Sequence, residues 1–154
     1  MLKTEFIYEA TITIDEVQEL GKTPAGKRRI IPITGGTFDG PGNGSRLSGQ
    51  VLPGGADWQI VYEDGSAFVE ARYTMQTDTG ALIYIENKGY RHGPADVMAR
   101  MAAGQPTDPD SYYFRTTPVF ETSAPDLQWL NRTICVGTGI REPDCVKLKV
   151  YAVR

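Results

Sequence analysis

Short runs of β-branched and aromatic residues, each closed by a cluster of turn formers, recur along this chain from end to end, and helical periodicity is nearly absent. That alternation leaves few folds open. The runs are Phe6 to Ile14, Arg28 to Ile33, Ser45 to Leu52, Trp58 to Glu63, Ala67 to Thr77, Ala81 to Asn87, Tyr112 to Glu121, Trp129 to Val136 and Val146 to Val153. Glu63-Asp64-Gly65-Ser66 and Thr77-Asp78-Thr79-Gly80 place Asp and Gly between two such runs, a hairpin signal, so the middle strands should form an antiparallel meander. The expected fold class is all-β: one antiparallel barrel of about eight to ten strands, with 1–154 as its single domain.

Two stretches depart from the pattern. Pro94 to Gly104 reads as a short helix near 94–103, with proline in its first turn, Gly104 at its C-cap, and Val97, Met98 and Met101 on one face. It lies across a connection, as either a lid or a plug over the core. Thr34 to Gly44 is glycine-rich but has no Gly-Lys-Ser/Thr ending and no following helix, so it reads as a loop rather than a phosphate cradle.

Composition excludes several function classes. A net charge of −3 with dispersed Lys and Arg provides no basic footprint for nucleic acid. No run approaches the roughly 20 apolar residues of a membrane-spanning helix, and Met1 to Glu9 reads as neither a signal nor a transit peptide. A cytoplasmic location is the expectation, with Cys135 and Cys145 as free thiols. The lone His92, in an expected loop, argues against multi-histidine metal sites and His-based triads, leaving no metal or other cofactor expected.

Acid-base chemistry then falls to carboxylates with arginine support. In Ala67 to Thr77, alternation puts Glu70, Arg72 and Thr74 on one face and Val69, Ala71, Tyr73 and Met75 on the other. The Glu70 and Arg72 pair is either a solvated face, a structural ion pair or the first candidate for a catalytic pocket face, since arginine offers a rigid donor fork to carboxylates and polarised carbonyls. Asp57, beside Trp58 at a strand entry, is the third catalytic candidate. It either caps its turn or, desolvated, gains the raised pKa of a general acid or base. Tyr113, Arg115 and Thr117 share one face of a later strand, with Glu121 in phase unless Pro118 resets it, and Trp129 and Asn131 share another. Aromatic walls with a few oriented polar groups are the usual make-up of a small-molecule site.

Gly35-Gly36-Thr37-Phe38-Asp39-Gly40-Pro41, Val51-Leu52-Pro53-Gly54-Gly55-Ala56-Asp57-Trp58, Glu70-Ala71-Arg72-Tyr73, Tyr112-Tyr113-Phe114-Arg115-Thr116 and Trp129-Leu130-Asn131-Arg132 together resemble the family of unknown function DUF3237, or UPF0311. The resemblance runs in order along nearly the whole chain, and Leu52 to Trp58 is its most distinctive block. It implies a compact barrel, lipocalin-like in outline, with a central cavity. The positions matching its signatures are Asp57, Trp58, Arg72, Tyr73, Asn87, Arg91, Arg115, Glu121, Trp129, Asn131 and Arg132, none with a catalytic role to transfer. Glu70 stands where an aspartate is expected in relatives.

The functional expectation is a barrel that binds a small oxygenated or aromatic metabolite, acting as a cofactor-free isomerase, cyclase, lyase or hydrolase. Glu70, Asp57 or Glu121 would move the proton, Arg72 or Arg115 would hold the oxygen, and Trp58, Tyr73, Asn87, Tyr113, Trp129 and Asn131 would complete the site. The alternatives are a non-catalytic binding protein, or a structural protein whose polar strand face meets a partner. Edge strands leave homo-oligomerisation open. Which face of each strand points inward is not fixed by alternation alone.

Overall fold

In the computed structural model, which describes residues 1–154, every strand belongs to a single antiparallel sheet that curls until its first and third strands meet. The strands are β1 (Thr4–Ile14), β2 (Gln18–Thr23), β3 (Gly26–Gly40), β4 (Leu47–Val51), β5 (Ala56–Val61), β6 (Ala67–Thr77), β7 (Leu82–His92), β8 (Tyr113–Glu121), β9 (Cys135–Arg141) and β10 (Cys145–Val153). The order β1-β10-β9-β8-β7-β6-β4-β3, with β3 paired back to β1, makes a closed eight-strand barrel. β2 and β5 are additional: β2 extends one end of β3 as a hairpin, and β5 continues the slot between β3 and β6 that β4 begins.

Of the glycine-rich run expected to be a loop, Thr34 to Gly40 is instead the second half of β3, and only Pro41 to Gly44 is loop. The strand's glycines serve close approach rather than a turn. Gly36 has φ +134°, and a Cβ built there would lie 2.0 Å from the Thr11 carbonyl oxygen, so β3 can cross β1 closely only without a side chain at this position. One further boundary differs. β7 continues through His92, which is exposed and stacked on Tyr113 at 4.7 Å, rather than ending at Asn87. Pro118 leaves the alternation of β8 intact, at the cost of a short ladder with β9, only Arg115↔Thr138 and Thr116↔Gly137.

The expected strand from Trp129 is the largest change. Pro125–Arg132 forms a 3₁₀ helix, in which residues three apart eclipse, so Leu127 and Leu130 project together into one end of the barrel. There they join a core that includes Tyr8, Phe38, Met75, Ile83, Ile85 and Phe120, with the Tyr8 ring edge-on to Phe38 at 5.9 Å and to Phe120 at 6.1 Å. This end is packed shut. The helix expected near 94–103 is present as α1 (Ala95–Ala102), whose Val97, Met98 and Met101 pack on Val69, Tyr112 and Phe114. Cys135 and Cys145 are both buried and unbridged.

Replacing Leu130 by Ala should lower unfolding stability by about 2–5 kcal/mol, the usual cost of truncating a fully enclosed leucine. Urea denaturation would measure it. A loss below about 0.5 kcal/mol, typical of surface substitutions, would show that the 3₁₀ helix does not seal the barrel.

Candidate functional site

Strand parity decides what the barrel encloses. On β6 the buried residues are Ala67, Val69, Ala71, Tyr73 and Met75, so Glu70, Arg72 and Thr74 face outward. The polar face expected to line a pocket is the outer wall. Apolar side chains win the interior because burying unpaired charge there costs more than leaving it in water. Outside, the Arg72 guanidinium lies 4.5 Å from the Trp58 ring centroid, and Glu70 sits 3.8 Å from Lys88 Nζ. Trp58 is therefore an outer stacking platform for Arg72.

The same rule places other expected site residues outside. Tyr113 and Arg115 are exposed, with the Arg115 guanidinium 5.5 Å from the Tyr113 ring, and they border a shallow outer groove with Tyr90. Glu121 is exposed at the end of β8. Trp129 packs against the closed-end core, and Asn131 ties the 3₁₀ helix to the end of β8, accepting from Thr122 N–H at 2.8 Å and donating to Thr122 O at 2.9 Å. Asp57, Tyr73 and Asn87, by contrast, do converge inside.

The opposite end of the barrel is polar. Inward-facing arginines close the series of three strands there: Arg29 on β3, Arg91 on β7 and Arg141 on β9. Beneath them a small inner chamber of about 40 Å³ is bounded by Asp57, Gln59, Tyr73, Asn87 and Thr116 among apolar residues. Above them a cleft of about 450 Å³ opens under α1 and the loop that follows, lined by Met98, Met101, Pro106 and Pro109. Arg91 and Arg141 line both spaces and form the neck between them.

Asp57 is held by a chain of hydrogen bonds. Arg29 donates from Nε to Glu19 at 2.9 Å and from Nη1 to Gln59 Oε1 at 3.1 Å, and Gln59 Nε2 donates to Asp57 Oδ2 at 3.1 Å. Gln59 is fully buried. The other carboxylate oxygen accepts the Glu70 backbone N–H at 2.9 Å, in the middle of the β5–β6 ladder. Both oxygens are thus anchored and the carboxylate orientation is fixed. Burial raises the Asp57 pKa above the ordinary aspartate value, against the Glu70 N–H bond, the field of Arg91, the Gln59 bond and Arg29. Burial likewise holds Arg91 down to about 10, aided by Arg141 and opposed by Asp57. Arg91 remains a cation at neutral pH, yet its Nε–H has no protein acceptor, and its guanidinium lies 5.6 Å from the Phe114 ring.

Two more buried polar atoms of residues lining the chamber lack partners, Asn87 Oδ1 and Thr116 Oγ1, whereas the unpaired Tyr73 hydroxyl interacts with that of Tyr8 in the core. Native interiors leave few such groups, and each costs free energy until something pairs with it. Gln59, Arg141, Arg29 and Thr116 were not anticipated from the sequence, and Arg91 only as a signature position. The readable signal is parity: Asn87 and Arg91 share the phase of Ile83 and Ile85, polar residues where an apolar face continues.

The match to known proteins is extensive. The family model described as "Protein of unknown function (DUF3237)" matches residues 2–153. UPF0311 protein RPA1785 from Rhodopseudomonas palustris is 43% identical over 152 residues, 99% of this chain and 97% of that protein. Its crystal structure superimposes with a TM-score of 0.93, covering 100% of this chain and 98% of the other at 42% identity. A β-barrel-like protein from Acinetobacter baumannii has a TM-score of 0.84 at 45% identity, covering 100% of this chain and 97% of that one. A Penicillium herquei protein described as an enzyme, 21% identical with a TM-score of 0.72 over 99% of this chain and 95% of that one, shares the fold. No helix is long and apolar enough to cross a membrane.

Because the folded pKa of Asp57 exceeds the unfolded value near 3.9, the native state holds this proton more tightly. Its contribution to stability therefore falls as pH rises from the unfolded value through the folded one. Carboxyl ¹³C NMR should find Asp57 titrating above an ordinary aspartate, and Arg91→Gln should raise its midpoint further by removing an opposing cation. A midpoint that stays put in Arg91→Gln would contradict the coupling.

Proposed function

The chain belongs to the DUF3237 family, and from that premise we propose that its barrel is a cofactor-free acid-base enzyme acting on a small oxygenated metabolite. The observation that carries this reading is one oriented, partly desolvated carboxylate, Asp57, in a chamber whose neck is formed by Arg91 and Arg141. A cleft of about 450 Å³ falls within the usual range for small-molecule sites and takes the body of the substrate under α1. The reacting end enters the neck.

There the substrate carbonyl oxygen accepts from Arg91, whose Nε–H is free to donate. Asp57 removes a proton from the adjacent carbon, the C–H electron pair moves into the carbonyl system, and negative charge collects on the oxygen. The Arg91 and Arg141 guanidiniums stabilise that oxyanion in a medium where water screens little. Asp57-H then returns the proton to another atom of the same substrate, which is isomerisation. Loss of a β-leaving group, or attack on an internal electrophile, would give lyase or cyclase outcomes from the same enolate. The raised pKa makes Asp57 a stronger base than an ordinary aspartate, and its two anchoring hydrogen bonds keep it aimed.

Incubating the protein in D₂O with small ketones, oxo acids, lactones and phenolic carbonyl compounds, and reading deuterium incorporation and product masses by mass spectrometry, tests the chemistry without a known substrate. Asp57→Asn should lower the exchange rate about 10²–10⁴-fold, the usual contribution of a positioned acid-base group. Arg91→Gln should slow it too, while Arg72→Ala, on the outer wall, should leave it unchanged. Ligand binding without exchange would contradict the enzyme reading in favour of a binding protein. Loss of exchange in Arg72→Ala alone would move the site outside.

A further inference from the structure

Asn87 Oδ1 and Thr116 Oγ1 are unpartnered polar atoms of residues lining the inner chamber, and the acid-base reading leaves them unused. Asn87 is 2% exposed and Thr116 3%, and neither atom has a protein partner. They face the chamber from neighbouring strands, Asn87 from β7 and Thr116 from β8, with Asn87 opposite Pro118, two residues along from Thr116. The backbone is shaped around this pair. Gly89 stands opposite Thr116 on β7, and a Cβ there would lie 2.8 Å from Thr116 Cγ2. At Gly137, opposite it on β9, a Cβ would lie 2.5 Å from Thr116 Oγ1. Glycine on both sides leaves room for the threonine side chain between its neighbours.

We propose that this pair is a hydroxyl-recognition subsite, and that the substrate is a hydroxylated carbonyl compound whose hydroxyl enters the chamber while its carbonyl rests on Arg91. The inference rests on the reading that the chamber is the ligand site. Its chemistry follows from donor and acceptor counting. Asn87 Oδ1 only accepts, so it requires a donor. Thr116 Oγ1 can donate, so the same ligand atom can also be an acceptor. A hydroxyl meets both demands with one oxygen. A ketone or ether oxygen satisfies Thr116 and leaves Asn87 Oδ1 unpaired, and a methyl group leaves both unpaired. A buried site built to pair a hydroxyl discriminates strongly against the analogue without one, because its own polar groups stay unsatisfied. Size points the same way: a space of about 40 Å³ admits a hydroxyl and one or two carbons rather than a ring, so the bulk of the molecule remains in the cleft.

The test uses sets of three matched compounds: 4-hydroxy-2-butanone, its methyl ether and 2-butanone, and α-hydroxyacetophenone, whose ring can stay in the cleft, its methyl ether and acetophenone. Binding is read by ligand-observed NMR and calorimetry rather than turnover. At least one hydroxylated member should bind about tenfold or more tightly than both of its partners. Thr116→Val, which keeps the side-chain shape, and Asn87→Leu should each shrink that ratio towards one without weakening the deoxy compound. Equal binding across each set, a preference that survives in both variants, or no binding by either hydroxylated compound would overturn the subsite. Because Asp57-dependent deuterium exchange is a separate readout, exchange on a substrate lacking a hydroxyl would defeat this inference alone. Hydroxyl-selective binding without exchange would defeat only the enzyme reading.

Discussion

The cost of holding Arg91 inside a β-barrel is the constraint from which most of this structure follows. A guanidinium 7% exposed, with its Nε–H unpaired, is tolerated only where other groups share the burden. Asp57 supplies the opposing charge, the Phe114 ring supplies a face, and the cleft supplies partial contact with water. Two more cations, Arg29 and Arg141, crowd the same end, and Arg29 is neutralised by Glu19 on the rim. The result is a neck with excess positive charge and spare donors. Such a neck suits an oxygen that becomes negative.

The rest of the barrel makes this arrangement affordable. One end is sealed by the 3₁₀ helix and packed with aromatic and aliphatic side chains, a core large enough to carry the fold. The other end is left unfilled and polar, bridged by α1, which rests on a small apolar cluster of Val69, Tyr112 and Phe114. Stability and site are thus divided along the barrel axis. The two ends share strands β6 and β7, so Met75 and Ile83 at the packed end are continuous with Asn87 and Arg91 at the open one.

Much of the fold was legible because strands declare themselves by alternation and turn chemistry: β6 was read to its exact bounds, and α1 within a residue or two. The failures have physical causes. Thr34 to Gly40 looked like a loop because glycine is poor in strands on average, yet here its lack of a side chain lets β3 cross β1. Trp129 to Arg132 looked like strand because aromatic content outweighed the Pro125 start and the three-residue spacing of Leu127 and Leu130. For the site, parity was readable but its direction was not. Glu70 and Arg72 attracted a functional reading as the more polar face, while the decisive signal was the rarer one, polar Asn87 and Arg91 in phase with Ile83 and Ile85. Gln59 was invisible in sequence, since its role depends on Arg29, thirty residues away in the chain.

The most direct test of the central claim is a crystal structure of the protein with the carbonyl compound that binds it most tightly. The account predicts ligand density in the neck, with an oxygen within hydrogen-bond distance of Arg91 Nε and the remainder lying in the cleft beneath α1. Density on the outer wall beside Trp58 and Arg72, with only solvent in the chamber, would contradict it.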